Sequence, residues 1–183
     1  ADRRAEDILH RELARARPGF GFLMEERGAI AGTDGHDRWI VDPLDGTTNF
    51  LHGIPHFCIS IAHERDGEVL AGVIYEPLRD EMFWAERGMG AHLNDRRLRV
   101  SARERLGDAV AATGIPHIGR RGPAAFLDQL AAVMDGVAGV RRFGSAALDL
   151  AYVASGRFDA FWETGLSAWD VAAGVVIVRE AGG

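Results

Sequence analysis

The segment Trp39-Ile40-Val41-Asp42-Pro43-Leu44-Asp45-Gly46-Thr47-Thr48-Asn49 sets two carboxylates, a glycine and two hydroxyls at the end of an apolar run. Trp39, Ile40 and Val41 read as a short buried strand. Pro43 has no N–H for a ladder, which predicts that the chain leaves the sheet with Asp42 at the strand end. Asp45 can swing back toward Asp42, and a hard cation such as Mg²⁺ takes carboxylate oxygens at roughly 2.0–2.1 Å, its shell completed by water and substrate phosphate. Gly46 allows a tight turn, and the N–H groups of Gly46 and Thr47, opening a helical turn, would receive an anion. Taken alone, Asp42 to Gly46 fits a surface turn with Asx capping as well as it fits a metal and phosphate site.

Other reactive side chains carry weaker signals. Glu25 and Glu26 close a short apolar strand from Phe20 to Met24 and by themselves read as solvated charges opening a loop. Asp170 opens an apolar helix, a place where one carboxylate can cap the helix and also bind a metal. His52 and His56 flank Pro55 at a spacing that fits no zinc motif, so packing or supporting roles are expected; His10, His36, His63, His92 and His117 are given none. Cys58, the one cysteine, lies in the apolar run Phe57-Cys58-Ile59, which excludes an internal disulfide and a thiol-rich zinc site and predicts a buried inert thiol. The 21 basic residues are all arginine, so this chain supplies no Walker A lysine and no Schiff base. Gly88-Met89-Gly90 lacks the third glycine and following helix of a dinucleotide loop and reads as a turn. Trp84 and Trp162 are expected in the core.

Around these residues the hydrophobic pattern predicts a layered α/β chain. Residues 3 to 17 form an amphipathic helix with Ile8, Leu9 and Leu13 on one face, stopped by Pro18-Gly19. Gly28 to Gly35 reads as a mobile small-residue loop. Phe57 to Ile61, Val69 to Tyr75 and Glu81 to Ala85 form an antiparallel meander, with Asp66-Gly67 as a hairpin turn and Pro77 to Asp80 as a second turn. Then strands and helices alternate: a capped turn at Ser101 to Leu106, a strand at Val110 to Thr113, a helix at Pro123 to Met134 and a strand at Val140 to Phe143. A Ser145-capped helix runs to Ala154 and is closed by Gly156, followed by a strand at Phe158 to Trp162 and a helix from Asp170 to about Arg179. The change of pattern sets a domain boundary near residue 100, giving an α+β part at 1–100 and an α/β part at 101–183.

The chain of 183 residues is 47% hydrophobic and 26% charged, enough for a real core. A net charge of −6 and a pI near 5.6 argue against a broad nucleic-acid or anionic-membrane footprint. No stretch approaches the roughly 20 apolar residues of a membrane span, and Ala1-Asp2-Arg3-Arg4 has no apolar signal region, so the cytoplasm is the expected compartment. The chain begins without Met and stops at Ala181-Gly182-Gly183 after an apolar helix pattern, so further segments are expected at both ends.

Glu25-Glu26, Asp42-Pro43-Leu44-Asp45-Gly46-Thr47-Thr48-Asn49-Phe50 and Trp169-Asp170-Val171-Ala172-Ala173-Gly174 together resemble the inositol monophosphatase family, lithium-sensitive magnesium-dependent phosphatases, and within it the bacterial inositol-1-monophosphatases. The likeness extends through Gly144-Ser145-Ala146-Ala147, Asp159 to Glu163 and Arg179-Glu180-Ala181-Gly182-Gly183. It implies a sandwich of alternating αβαβα layers and a phosphomonoesterase that hydrolyses myo-inositol monophosphate with water activated by two Mg²⁺ ions. By motif, it implies Glu25, Asp42 and the Leu44 carbonyl on one Mg²⁺, Asp42, Asp45 and Asp170 on a second, and Asp2 reaching a third, weaker metal through water. Thr47 with Glu25 would orient the attacking water, and Gly46 and Thr47 would hold phosphate. Ala146, Glu163 and Asp45 would meet the polyol, with Asp170 at the substrate. Lithium inhibition, a homodimer and a small phosphorylated polyol as partner follow from the same likeness, as does a further helix before Asp2 and more sheet after Gly183.

Two other readings stand beside this one. In the haloacid-dehalogenase class an apolar strand ends in Asp-x-Asp-Gly-Thr and its first Asp is phosphorylated; here the carboxylates are three apart and the lysine usual in that class is missing. Within the family the same metal motif serves fructose 1,6-bisphosphate, histidinol phosphate and phosphoadenosine phosphate, with Glu163 favouring a polyol over an adenosine. A bacterial homologue is also associated with ribosomal RNA transcription complexes, which sets a non-catalytic binding role as the alternative from another class.

Overall fold

The computed structural model describes residues 1–116 and 123–183, so His117 lies outside the described residues. Helix α1 (Asp2–Ala16) packs on β1 (Gly21–Met24) and β3 (Asp37–Asp45), where Leu9 and Leu13 meet Phe22, Met24 and Val41. Ile8, expected on that face, is 44% exposed. The buried member of the helix is instead Glu6, whose carboxylate accepts the Glu26 N–H at 2.9 Å, so the helix is pinned to the strand end by a polar contact.

Two corrections concern the first strands. Gly28 to Ile30 are a strand, β2 (Gly28–Ile30), folded back on β1 so that Met24 faces Gly28; the expected loop is half hairpin. Strand β3 does not stop at Asp42 but runs on through Pro43. Against β4 (Cys58–Arg65), Asp42 faces Ser60 and Asp45 faces Cys58, so the longer strand carries one extra residue. That is a bulge, and a bulge is where a sheet tolerates a proline that cannot donate. Past it, Gly46 adopts φ +91° and opens the single helical turn α2 (Thr47–Leu51).

Strands β5 (Glu68–Glu76) and β6 (Glu81–Glu86) complete the expected meander, and Asp66 and Gly67 both take the positive φ that a two-residue hairpin needs. Two short strands were not foreseen, β7 (Gly90–Leu93) and β8 (Arg96–Arg97), which extend the sheet antiparallel beyond β6, with β8 at its edge. The result is an eight-stranded sheet in the order β2-β1-β3-β4-β5-β6-β7-β8.

After a 3₁₀ turn at Leu106–Asp108, β9 (Val110–Thr113), α3 (Pro123–Met134), β10 (Gly139–Arg141), α4 (Ala146–Ala154), β11 (Ala160–Trp162) and α5 (Ala168–Glu180) follow. The three strands form a parallel sheet in the order β10-β9-β11. The crossover through α3 moves one way along it and that through α4 the other, so right-handed connections put the two helices on opposite faces. Helices α4 and α5 fill the space between the sheets, and α1 lies beyond the large one, which gives the layered αβαβα sandwich. The layers approach closely because Gly72 stands where a methyl group would lie 2.7 Å from the Cα of Ala173 in α5, and Gly174 where one would lie 2.5 Å from Leu150 of α4.

The tryptophans depart from expectation: Trp84 and Trp162 are half-buried and outside the core, Trp84 stacking on His92 and donating to the Asn94 carbonyl. At Ser101 the expected capped turn is a short loop in which the hydroxyl accepts the Arg103 N–H. Among the described residues no helix is long and apolar enough to cross a membrane.

Candidate active site

Parallel pairing of β1 with β3 sets Met24 beside Val41, so Glu25, just past the end of β1, comes level with Asp42, the last residue of β3 before the bulge. Beyond the bulge the chain turns Asp45 toward the start of α4. The N-terminus of α5 brings Asp170 to the same place, and the end of β11 brings Glu163. These residues line a cleft of about 500 Å³ with Leu44, Gly46, Thr47, Gly114, Arg142 and Ala146. The structure thus gathers Glu25, Asp42, Leu44, Asp45, Gly46, Thr47, Ala146, Glu163 and Asp170, drawn from positions far apart in the chain. Asp2, in the first turn of α1, stands near enough to Glu25 to raise its pKa.

The electrostatics are those of crowded acids. Asp42 stands close enough to Glu25 to lower its pKa, against the rise that burial and the charges of Asp170, Glu26 and Asp2 impose. Burial, then the charges of Asp45 and Glu25, push Asp42 up to about 9, although the Leu44 N–H donates to its Oδ1 at 2.9 Å. Asp45 rises to about 6, chiefly through burial. Burial also raises Glu25. Among the described lining residues Arg142 alone is basic, against five carboxylates.

Asp45 and Asp170 each have one oxygen held by protein donors. Asp45 Oδ2 accepts the Ser145 hydroxyl and the Ala147 N–H, both at 2.7 Å. Asp170 Oδ2 accepts the Ser167 N–H at 2.6 Å. Asp170 is therefore the third residue of α5 in a capping box with Ser167, not the residue that starts the helix, and its carboxylate reaches back over the helix end toward the cleft. Thr47 donates its hydroxyl proton to the Leu44 carbonyl at 2.9 Å, which leaves its lone pairs as acceptors.

This donor set suits a hard divalent cation: carboxylates, a main-chain carbonyl and no sulfur or imidazole. As the side chains stand, no three of His, Cys, Asp and Glu among the described residues close around an ion. The hydrogen bonds above explain that spacing, since Asp45 and Asp170 each turn one oxygen to N–H or O–H donors and the remaining charges repel. Cys58 is buried beside Asp45 and Ser145, and burial pushes its thiol well above the usual range, as an inert thiol requires. His56 is buried against Phe143 and Tyr152 and belongs to the packing.

Sequence reasoning identified Ser145 only as a helix cap; its bond to Asp45 joins residues 100 apart in the chain, and no local signal marks it. Asp149, beneath the cleft in α4, was also missed. It is 1% exposed, and burial, then Asp45, push it up to about 8.

The model of the inositol monophosphatase family matches residues 1–183. The inositol-1-monophosphatase of Mesorhizobium japonicum is 66% identical over 183 residues, covering 100% of this chain and 69% of the relative. The Nus factor SuhB of Pseudomonas aeruginosa is 49% identical over 186 residues, covering 100% of this chain and 69% of the relative. Among solved structures, the extragenic suppressor protein suhB of Bartonella henselae superimposes with a TM-score of 0.96 at 62% identity, covering 99% of this chain and 69% of that one.

Proposed function

The chain belongs to the inositol monophosphatase family, and from that premise we propose that it is a Mg²⁺-dependent phosphomonoesterase that hydrolyses inositol monophosphate to inositol and phosphate. The observation that carries this reading is the convergence of five carboxylates, three of them with raised pKa, on one cleft with a single arginine. Crowded acids of this kind are costly unless a cation joins them.

Glu25, Asp42 and the Leu44 carbonyl would hold one ion and Asp42, Asp45 and Asp170 a second, with Asp2 at the rim toward a third. Bound divalent cations stabilise charge on phosphoryl oxygens and make water a nucleophile near neutral pH. The protein's own part is orientation. Thr47, its proton committed to the Leu44 carbonyl, offers a lone pair to an incoming water, and Glu25, which lines the same cleft, would serve as a second acceptor. Gly46 and Thr47 face phosphate with their N–H groups, while Ala146, Asp45 and Glu163 address the hydroxyls of the alcohol.

Phosphate release from inositol 1-phosphate, fructose 1,6-bisphosphate and histidinol phosphate, with and without Mg²⁺ and lithium, tests the reading. Magnesium-dependent, lithium-blocked release that favours inositol phosphate is expected; release that ignores both ions overturns it. Asp42→Asn is expected to lower kcat by more than about 100-fold and to lose the rise in Tm that Mg²⁺ gives the parent, because a ligand that binds only the folded state stabilises it. A variant with parental rate removes Asp42 from the ligand set. Light scattering tests the expected homodimer.

The likeness to a Nus factor supports a second reading, a binding role in a transcription complex in which catalysis is secondary. The acidic net charge gives direct RNA contact no support. Capture of the tagged protein from cells without transcription factors attached would remove it.

A further inference from the structure

Gly114 and Glu163 follow neighbouring parallel strands, β9 and β11, at their carboxyl ends, where open α/β sheets place their ligands. The strands are held in register there: Trp162 faces Thr113, and the Thr113 hydroxyl donates to the Trp162 carbonyl at 2.8 Å. Glu163 does not extend away from the sheet. Its carboxylate lies over Gly114, so close that a methyl group at 114 would sit 1.9 Å from Glu163 Cδ and 2.0 and 2.2 Å from its two oxygens. Both residues line the cleft.

We propose that Gly114 is a positioning residue for substrate choice: by presenting no side chain it lets the Glu163 carboxylate lie across the end of β9 and face a hydroxyl of a polyol phosphate. The inference rests on the reading of Glu163 as a polyol contact and adds the residue that puts it there. Gly114 is buried and does not need its glycine for backbone reasons, since it is not among the glycines with positive φ. What it provides is space. If a methyl group fills that space, the strands cannot part without breaking the Thr113 clamp, whereas the carboxylate is the far end of a flexible side chain and is what yields. It must retreat by more than about 1 Å to restore ordinary contact, and a misplacement of that size ends a hydrogen bond to a charged group. The phosphate end of the cleft, built on Gly46, Thr47 and the acidic cluster, is not part of the collision.

Gly114→Ala, Glu163→Ala and the double variant in the full chain, each assayed with inositol 1-phosphate and with p-nitrophenyl phosphate, decide the matter. Glu163→Ala should lower the ratio of kcat/KM for the two substrates, inositol over aryl, about tenfold, mostly through the KM for inositol phosphate. Gly114→Ala should lower that ratio by a similar factor, with Tm within about 2 °C of the parent, and the double variant should be no worse than Glu163→Ala. An unchanged ratio in Gly114→Ala beside a lowered one in Glu163→Ala overturns the inference and leaves the polyol reading intact. Equal loss on both substrates in Glu163→Ala overturns that reading, and this inference with it. A fall in Tm of ten degrees or more in Gly114→Ala means that the strands yield and not the carboxylate, which also overturns it.

Discussion

Ser145 carries two jobs on one oxygen. Its Oγ accepts the Leu148 N–H at 3.4 Å as the cap of α4, and it gives its only proton to Asp45 Oδ2 at 2.7 Å. With the hydrogen spent on Asp45, the hydroxyl meets the Cys58 thiol, 3.6 Å away, as an acceptor. The Ala147 N–H fixes the same carboxylate oxygen, so Asp45 has one oxygen held by the end of α4 and one left for chemistry. Removing the hydroxyl should therefore act twice. Ser145→Ala is expected to cost about 1 kcal/mol of stability through the lost cap, and to raise the Mg²⁺ needed for half-maximal rate about tenfold through the loosened Asp45. Ser145→Thr keeps the cap and the donor and should restore both. Urea unfolding and magnesium titration read the two effects separately; a Ser145→Ala variant with parental Mg²⁺ dependence would confine Ser145 to capping. The cap was legible because Ser before an apolar helix is a local signal. The second bond was not, because it depends on where the bulge of β3 delivers Asp45.

At the scale of elements, the same limit explains which parts of the fold the sequence reveals. Amphipathic α1, the meander and the capped helices follow from period and turn chemistry, which act within a few residues. Strand β3 past Pro43 does not, because the sheet absorbs the proline only by placing an extra residue opposite Ser60 and Cys58, and that choice belongs to the partner strand. Strands β2, β7 and β8 are only three, four and two residues long, too short for a period to show, so pairing rather than pattern makes them strands. The link between α2 and β4 holds a buried group whose effect on stability can be read by pH. His56 is 8% exposed, its Nε2 lacks a partner, and burial, then the Arg79 charge, bring its pKa down to about 4. The fold keeps this ring neutral while the unfolded chain takes up a proton near its ordinary pKa of about 6.5. Its contribution is thus complete above that value and is lost as pH falls toward 4, by as much as about 3 kcal/mol. His56→Phe, which keeps an aromatic ring against Phe143 and Tyr152, should flatten the acid side of the stability curve over that window and leave pH 8 nearly unchanged. Denaturant midpoints at pH 8 and pH 4.5 check it; an equal shift at both would assign His56 a packing role alone.

Across the whole molecule, two sheets share one interior. The principal core cluster runs from Ile40, Cys58 and Phe83 of the large sheet to Leu148, Tyr152 and Phe158 around α4 and to Ala173, Val176 and Ile177 of α5. Asn49 adds a polar tie, donating to the His56 carbonyl and to that of Phe143, both at 2.8 Å. The change of pattern near residue 100 then marks a change of sheet, and we propose that it does not mark a change of folding unit. Residues 1–100 alone would expose the face of the large sheet that carries Cys58, Ala62, Ile74 and Phe83, all at most 1% exposed in the whole chain. That fragment is expected to remain unfolded, whereas the full chain should unfold in a single transition. The cleft sharpens the expectation, because Glu25, Asp42 and Asp45 come from one side of that boundary and Glu163 and Asp170 from the other. Tryptophan fluorescence and phosphatase activity, followed through the same urea series, should fall together; activity lost well before the fluorescence change would mean that α4 and α5 leave the large sheet as a separate unit.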